Sequence, residues 1–157
     1  MAERAGLAPG HVRPGGVYAR VGDEWMLSTQ TWVGHTNLPW VELRPSDGGV
    51  PFRVSPEQVQ TAIRVRPEVE YAGYWFDLGS LWTASRERIW TVTDTLNADC
   101  FADLLYHGDH PSEVGALPGA RVQSGRGDMG GVALTVRLSD VTGYRETVQE
   151  VTVAASA

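Results

Sequence analysis

The only histidine cluster in the chain is His107-Gly108-Asp109-His110, and its spacing could present ligands to a metal ion. A zinc site needs at least three protein ligands, even when it is catalytic. The remaining histidines, His11 and His35, lie in distant segments, so the sequence supplies no adjacent third ligand. We therefore predict a polar surface turn here, and we expect no metal and no other cofactor.

Cys100 is the only cysteine, so the chain has no internal disulfide. Its neighbours Asp99 and Phe101 supply no positive charge that would favour a reactive thiolate. The strained G-x-S-x-G turn of a serine nucleophile is also missing, although a triad assembled from distant residues stays open. The sequence thus predicts a structural cysteine, no catalytic residues and a non-enzymatic protein. A single free thiol suits a reducing compartment.

A glycine-rich segment, Gly125 to Gly131, resembles a phosphate-binding loop in composition. A P-loop also requires a lysine followed by serine or threonine, and neither follows these glycines. We predict a hairpin connection instead.

The acidic residues are unevenly distributed along the chain. Residues 1–70 carry seven arginines and eight acids, whereas residues 71–157 carry six arginines and eleven acids. The net charge of −6 argues against nucleic-acid binding. No basic residue lies between Arg88 and Arg121, which predicts either a solvated acidic face or a surface that docks on a basic protein. The candidate partner-binding residues of that span are Asp94, Asp99, Asp103, His107, Asp109, His110 and Glu113.

The elements that must position these residues follow a repeated pattern. Phe52-Arg53-Val54-Ser55 and Val136-Arg137-Leu138-Ser139 share the order apolar, arginine, apolar, serine. A short polar turn, a valine and an alternating run follow each copy. Repetition of this kind predicts two β units in tandem, each with a single helical turn before its last strand.

In the first unit we predict a hairpin from Val17 to Leu27, strands at 40–43 and 52–54, a helical turn at 55–59 and a last strand from Thr61. Five short strands with one helical turn before the last follow the order of an SH3-like barrel.

In the second unit we predict a hairpin formed by residues 75–78 and 82–83, and a strand at 89–93. Residues 97–106 fit either a helix or a strand, because short apolar runs do not separate the two. By analogy with the first unit we favour a strand at 101–106 and a helical turn at 111–116. Residues 132–138 and 144–153 would close the unit.

The predicted fold is therefore all-β, with two small SH3-like barrel units packed together. We expect a flexible lead-in at 1–15, a first unit at 16–70 and a second at 71–157. The six tryptophans are expected mainly to supply core bulk and packing between the units.

The chain resembles tandem SH3-like immunity proteins of actinobacterial polymorphic-toxin systems. The resemblance rests on residues 16–21, 52–59 and 136–141, and it departs from that family in the longer loops at 33–37 and 119–131. It implies a stoichiometric inhibitor that covers the active site of a cognate toxin.

We accordingly expect a non-catalytic inhibitor in the cytoplasm, whose partner is a toxin or another protein with a basic surface. No apolar run approaches the roughly 18 residues of a membrane helix, so no membrane partner is expected. Two alternatives stay open: a ligand-binding barrel or small enzyme with a tryptophan-lined pocket, and an adaptor within a secretion or regulatory complex.

Overall fold

Alternating apolar and polar residues form strands over most of the chain. The computed structural model describes residues 11–28, 36–45, 49–90, 93–94, 99–122, 131–151 and 153–155. The strands up to the first long one are β1 (His11–Val12), β2 (Gly16–Val21), β3 (Glu24–Ser28), β4 (Thr36–Leu38), β5 (Val41–Arg44), β6 (Phe52–Val54) and β7 (Thr61–Tyr71). The later strands are β8 (Tyr74–Thr83), β9 (Arg88–Ile89), β10 (Thr93–Asp94), β11 (Cys100–Tyr106), β12 (Arg121–Val122), β13 (Val132–Arg137), β14 (Gly143–Val151) and β15 (Val153–Ala155).

Among the described residues, helical structure is confined to three short elements. They are two 3-10 turns, Pro56–Gln58 and Leu138–Asp140, and the helix α1, Pro111–Gly115. None of the described helices is long and apolar enough to cross a membrane.

One large sheet connects most of the strands. Its order is β12-β13-β11-β8-β7-β2-β3-β5-β6, with β14 also paired to β7 and β9 to β8. Along one edge of β7, residues 61–65 pair with β2 and residues 68–71 pair with β8. Along its other edge, residues 62–70 pair with β14. We call β2, β3, β5, β6 and the start of β7 the first half, and the end of β7 with β8, β11, β12 and β13 the second half.

Pro67 marks the point where β7 changes partner. It lies between the residues that pair with β2 and those that pair with β8, where a missing backbone N–H interrupts neither ladder. Gly15 crosses β7 at the same point, and a Cβ there would lie 2.9 Å from Pro67 Cδ. Glycine is therefore needed for the chain to enter β2.

The hairpin between the halves differs from the predicted one. Residues 75–78 and 82–83 belong to the single strand β8 and do not form a hairpin with each other. The turn lies instead between β7 and β8, where Ala72 and Gly73 adopt positive φ angles of 53° and 84°. Two central residues with positive φ are what a tight two-residue hairpin requires. This hairpin joins the two halves across the expected boundary at residues 70 and 71.

The repeated pattern produces the same local structure twice. In the first copy β6, the turn Pro56–Gln58 and β7 follow one another, and in the second copy β13, the turn Leu138–Asp140 and β14 do so. The backbone N–H of Ser55 donates to Gln58 Oε1 at 2.9 Å and stabilises the first turn. The predicted strand at 101–106 and helical turn at 111–116 are also confirmed, as β11 and α1.

The first half is buried on both faces of its sheet. Successive residues of a strand point to opposite faces, so burial of Val17, Tyr18 and Ala19 in β2 means that both faces are covered. Val17 and Ala19 belong to one apolar cluster with Met26, Val41, Leu43 and Ala62. Tyr18 belongs to a second cluster with Leu27, Ile63 and Val65, against which Trp25, Trp90 and Val148 pack.

The second half has a single core on one face. Its inward side chains come from β7, β8, β11 and β13, together with α1 and the second 3-10 turn. The most buried members are Val69, Phe76, Leu81, Leu104, Val114, Leu134 and Leu138. The opposite face of this part of the sheet carries no described apolar layer over it.

The end of the predicted lead-in is packed into the protein. Val12 is fully buried in the core of the second half, and Arg13 is only 2% exposed. Arg13 donates from Nε to Glu146 Oε2 at 3.0 Å and from Nη2 to Glu146 Oε1 at 2.6 Å. The expectation of a flexible segment is therefore wrong for residues 11–15, because the chain must bury this pair to reach β2. Residues 1–10 lie outside the described part of the chain.

The tryptophans lie at the margins of the cores. None of the five described tryptophans is fully buried; Trp40 is 39% exposed and the others are half-buried. Of the predicted strand at 89–93, Ile89 ends β9 and Thr93 begins β10, Trp90 lies in no strand and packs against the first half, and residues 91–92 lie outside the described part of the chain. The expectation that these side chains fill the core is wrong.

The fold class is all-β, as predicted. Eleven of the described strands form one continuous open sheet that does not close into a barrel in either half, while β1 pairs separately with β10 and β15 with β4.

Candidate protein-docking surface

The open face of the second half carries a row of aromatic and charged side chains. Directly opposite residues of neighbouring strands share a face, and Phe101 lies opposite Trp82 on β8 and Arg137 on β13. Asp103 lies opposite Thr135, and Leu105 opposite Asp77. We call the surface formed by Trp75, Asp77, Trp82, Phe101, Asp103, Leu105, Thr135 and Arg137 the outer face.

Asp103 is held at the centre of the outer face by two hydrogen bonds. Trp82 Nε1 donates to Asp103 Oδ2 at 2.8 Å, and Thr135 Oγ1 donates to Asp103 Oδ1 at 2.8 Å. The carboxylate is half-buried, and each oxygen keeps a further lone pair that can accept a third hydrogen bond. Its orientation is thus set before any ligand arrives.

A β-bulge in β8 lies beside Asp103. The register between β11 and β8 shifts between Ala102 and Leu104, opposite Gly79. A Cβ on Gly79 would lie 3.1 Å from the carbonyl oxygen of Asp103, so a larger residue would crowd the strand. Bulges of this kind re-aim side chains and occur often beside functional sites.

Arginines surround Asp103 in space although none is near it in sequence. Arg86 and Arg121 line an open groove of about 710 Å³ together with Trp82, Phe101 and Asp103. Arg137 stacks on Phe101, with its guanidinium carbon 5.7 Å from the ring centroid, and lies 3.8 Å from Asp99. The groove therefore offers positive and negative charge beside aromatic rings.

A second group of side chains lies beyond the other end of β11. Tyr74 donates to Glu113 Oε2 at 2.5 Å, and this hydrogen bond raises the pKa of the Tyr74 phenol. The backbone N–H of His110 donates to the Tyr106 hydroxyl at 2.9 Å. A Cβ on Gly108 would collide with that hydroxyl, so glycine is required in this turn.

The structure divides the predicted partner-binding residues into two groups. Asp103 lines the groove and Asp99 lies 3.8 Å from Arg137 near the start of β11, whereas His107, Asp109, His110 and Glu113 lie around Tyr74 at the far end of β11. Of Asp94 the structure describes the backbone, which pairs with His11. The predicted acidic span is therefore continuous in sequence but not as a surface.

Sequence reasoning missed most of the side chains around Asp103. Trp82, Arg86, Arg121 and Thr135 come from segments on either side of the acidic span, and only pairing of β8, β11 and β13 brings them together. The alternation of Phe101, Asp103 and Leu105 along one strand is a signal that could have placed these three on one face.

No group of described residues brings together three potential metal ligands from histidine, cysteine, aspartate and glutamate. Of the glycine-rich segment, only Gly131 belongs to the described residues, so the predicted hairpin connection there lies outside them. Within the described part of the chain, the outer face presents charged and aromatic side chains.

Comparison with known proteins adds no relative, since no protein-family model, curated protein or solved structure matches this chain.

Proposed function

We propose that this chain is a non-catalytic binding protein that neutralises a protein partner by covering its active site with the outer face. The observation that carries the proposal is Asp103, fixed by Trp82 and Thr135 in the middle of an open, aromatic and charged sheet face. The immunity proteins that the sequence resembles act in this manner. We place the protein in the cytoplasm, where Cys100 stays reduced.

The composition of the outer face supports a protein partner. Tryptophan and arginine are enriched among the residues that dominate binding energy at protein interfaces. Trp75, Trp82, Arg86, Arg121 and Arg137 lie on this face or at its margin. A carboxylate that is already oriented loses little entropy when a partner's cation meets it.

The groove geometry also favours a large partner over an enclosed small molecule. Its volume is within the range of ligand pockets, but it opens onto the sheet and is bordered by exposed Arg86 and Arg121. We infer a partner surface of mixed charge, with a basic group facing Asp103 and acidic groups facing the arginines.

We further propose that the two halves are diverged copies of one SH3-like unit. The support is the repeated order of strand, 3-10 turn and long strand, and the antiparallel pairing of the two long strands β7 and β14. In this proposal β7 is the last strand of the first copy and β14 is the last strand of the second. The pairing of β7 with β14 joins the two copies into one continuous sheet.

The test begins with capture of the partner from the native host and measurement of the partner's own activity. We expect one equivalent of the protein to abolish that activity. Asp103→Arg should weaken the complex at least about tenfold, because a buried charge pair would become a repulsion. Asp103→Asn, which keeps an acceptor for Trp82, should have a smaller effect.

Asp23→Arg is the matched control. Asp23 is exposed in the turn between β2 and β3 of the first half, so this variant makes the same change of charge away from the outer face. Equal losses for Asp103→Arg and Asp23→Arg would contradict the proposal, as would a complex that leaves the partner active.

A further inference from the structure

Two arginines stack on the ring of Trp90. The guanidinium carbon of Arg44 lies 4.2 Å from the ring centroid, and that of Arg88 lies 4.0 Å from it. Stacking uses the flat face of a guanidinium and leaves the N–H groups around its rim free to donate. Two cationic forks are thus held against one ring.

These two arginines differ from the others that stack on aromatic rings. Each of the other four described arginines of this kind also has a carboxylate within 4 Å. Those pairs are Arg13 with Glu146, Arg53 with Glu42, Arg137 with Asp99 and Arg145 with Glu68. Among the described residues, Arg44 and Arg88 have no such partner.

That no described carboxylate lies within 4 Å of Arg44 or Arg88 is notable in a chain with six more acidic than basic residues. Like charges close together repel each other, and a counter-charge would ordinarily relieve that repulsion. In addition, Arg44 Nε is buried and has no hydrogen-bond acceptor among the residues that the structure describes. A buried donor left without an acceptor is costly, so this position has an unmet requirement for one.

The site lies at the junction of the two halves. Arg44 ends β5 in the first half, whereas Arg88 begins β9, which pairs with β8 of the second half. Trp90 connects them by packing against the cluster of Tyr18, Ile63 and their neighbours. Arg88 is exposed and Trp90 is half-buried, so a ligand can reach both.

We propose that Arg44, Arg88 and Trp90 form a binding site for an oxyanion, a carboxylate or a phosphate. Each guanidinium supplies a planar fork of N–H donors that matches either group, and both forks lie against the same ring. The indole holds both donors in place before the ligand binds. The site is separate from the outer face, and the proposal does not depend on what that face binds.

The test is NMR observation of the arginine Nε–Hε signals at low ionic strength, in a buffer without phosphate or carboxylates. Inorganic phosphate and malonate are titrated separately into the full chain at millimolar concentrations. We expect the signals of Arg44 and Arg88, assigned by their loss in Arg44→Gln and Arg88→Gln, to shift in a saturable manner. The tighter ligand identifies the class of oxyanion.

Arg88→Gln should weaken binding at least about tenfold, because it removes one of two charged donors. Arg88 is exposed, so this variant should fold; its thermal unfolding is measured to verify that. Arg44→Lys keeps the charge but removes the planar fork, and it should weaken malonate binding in particular.

Arg145→Gln is the matched control, because Arg145 stacks on Trp75 at 4.0 Å but is already paired with Glu68 at 2.9 Å. It should leave the affinity unchanged. The proposal is overturned if neither anion moves the Arg44 and Arg88 signals, or if Arg145→Gln weakens binding as much as Arg88→Gln does.

Discussion

The first half of the sheet is covered on both faces, whereas the second half leaves one face open. In β2 three consecutive residues, Val17, Tyr18 and Ala19, are buried. In β11 burial alternates strictly, so Phe101, Asp103 and Leu105 remain partly accessible. The difference teaches that two parts of one sheet can be packed differently, with a second apolar layer over one part and accessible side chains on the other. Trp90 contributes to the cover of the first half, because it packs against the cluster of Tyr18 and Ile63.

The largest expected effect tests how the N-terminal segment joins the two halves. Glu146→Gln leaves Arg13, which is 2% exposed, without its counter-charge. Breaking a buried pair by removing one partner costs about 3–5 kcal/mol of the free energy of unfolding. Urea unfolding measures the loss. If the free energy of unfolding fell by less than it does for an ordinary surface substitution, the pair of Arg13 and Glu146 would not stabilise the fold.

A matched pair of truncations sharpens the comparison directly. Ile63→Ala should reduce the free energy of unfolding by about 2–5 kcal/mol, because Ile63 is buried on the covered second face of the first half. Leu105→Ala, on the outer face, should cost less than about 1 kcal/mol. Similar losses for the two variants would show that the outer face of the second half is as deeply buried as the Ile63 face of the first half.

Two tyrosines near the junction of the halves make stability depend on alkaline pH. Burial raises the pKa of Tyr18 and of Tyr144, whose hydroxyls donate to Pro14 O and to Glu146 Oε2. Because the pKa of each phenol is higher in the folded than in the unfolded state, its contribution to the free energy of unfolding is complete below the unfolded pKa of about 10. The contribution is lost as the pH rises above that value.

Each tyrosine should contribute a slope of about 1.4 kcal/mol per pH unit in that range. Urea unfolding at a series of alkaline pH values measures this slope, and Tyr144→Phe should reduce it. A flat profile across that range would contradict the role given to the two phenols.

The smallest expected effect concerns stability at the outer face. The ion pair between Arg137 and Asp99 joins side chains that are 63% and 78% exposed. Arg137→Gln should therefore change the free energy of unfolding by no more than about 0.5 kcal/mol. Thermal unfolding gives the value, and a loss of several degrees would show that the outer face serves stability after all.

Local structure was the part that sequence reasoning predicted well. The sequence predicted the repeated order of strand, turn and strand, the strand at 101–106 and the helical turn at 111–116. Each of these elements depends on neighbouring residues and on their alternation, which the sequence shows directly. The hairpin of the second half was predicted wrongly because β8 is a long strand that crosses from one partner to the next. The site was predicted in part: Asp103 was a candidate, but Trp82 and Thr135, which orient it, were not.

The sequence by itself determined that the chain is all-β and acidic and that it carries a repeated residue pattern, because alternation, charge and repetition are properties of neighbouring residues. Only the tertiary structure decided that Arg13 meets Glu146, that arginines surround Asp103 and that two of them stack on Trp90. These contacts join segments far apart in the chain. The contacts are determined by strand pairing and by the path of β7 between the halves. Neither of these can be read from the spacing of residues along the sequence.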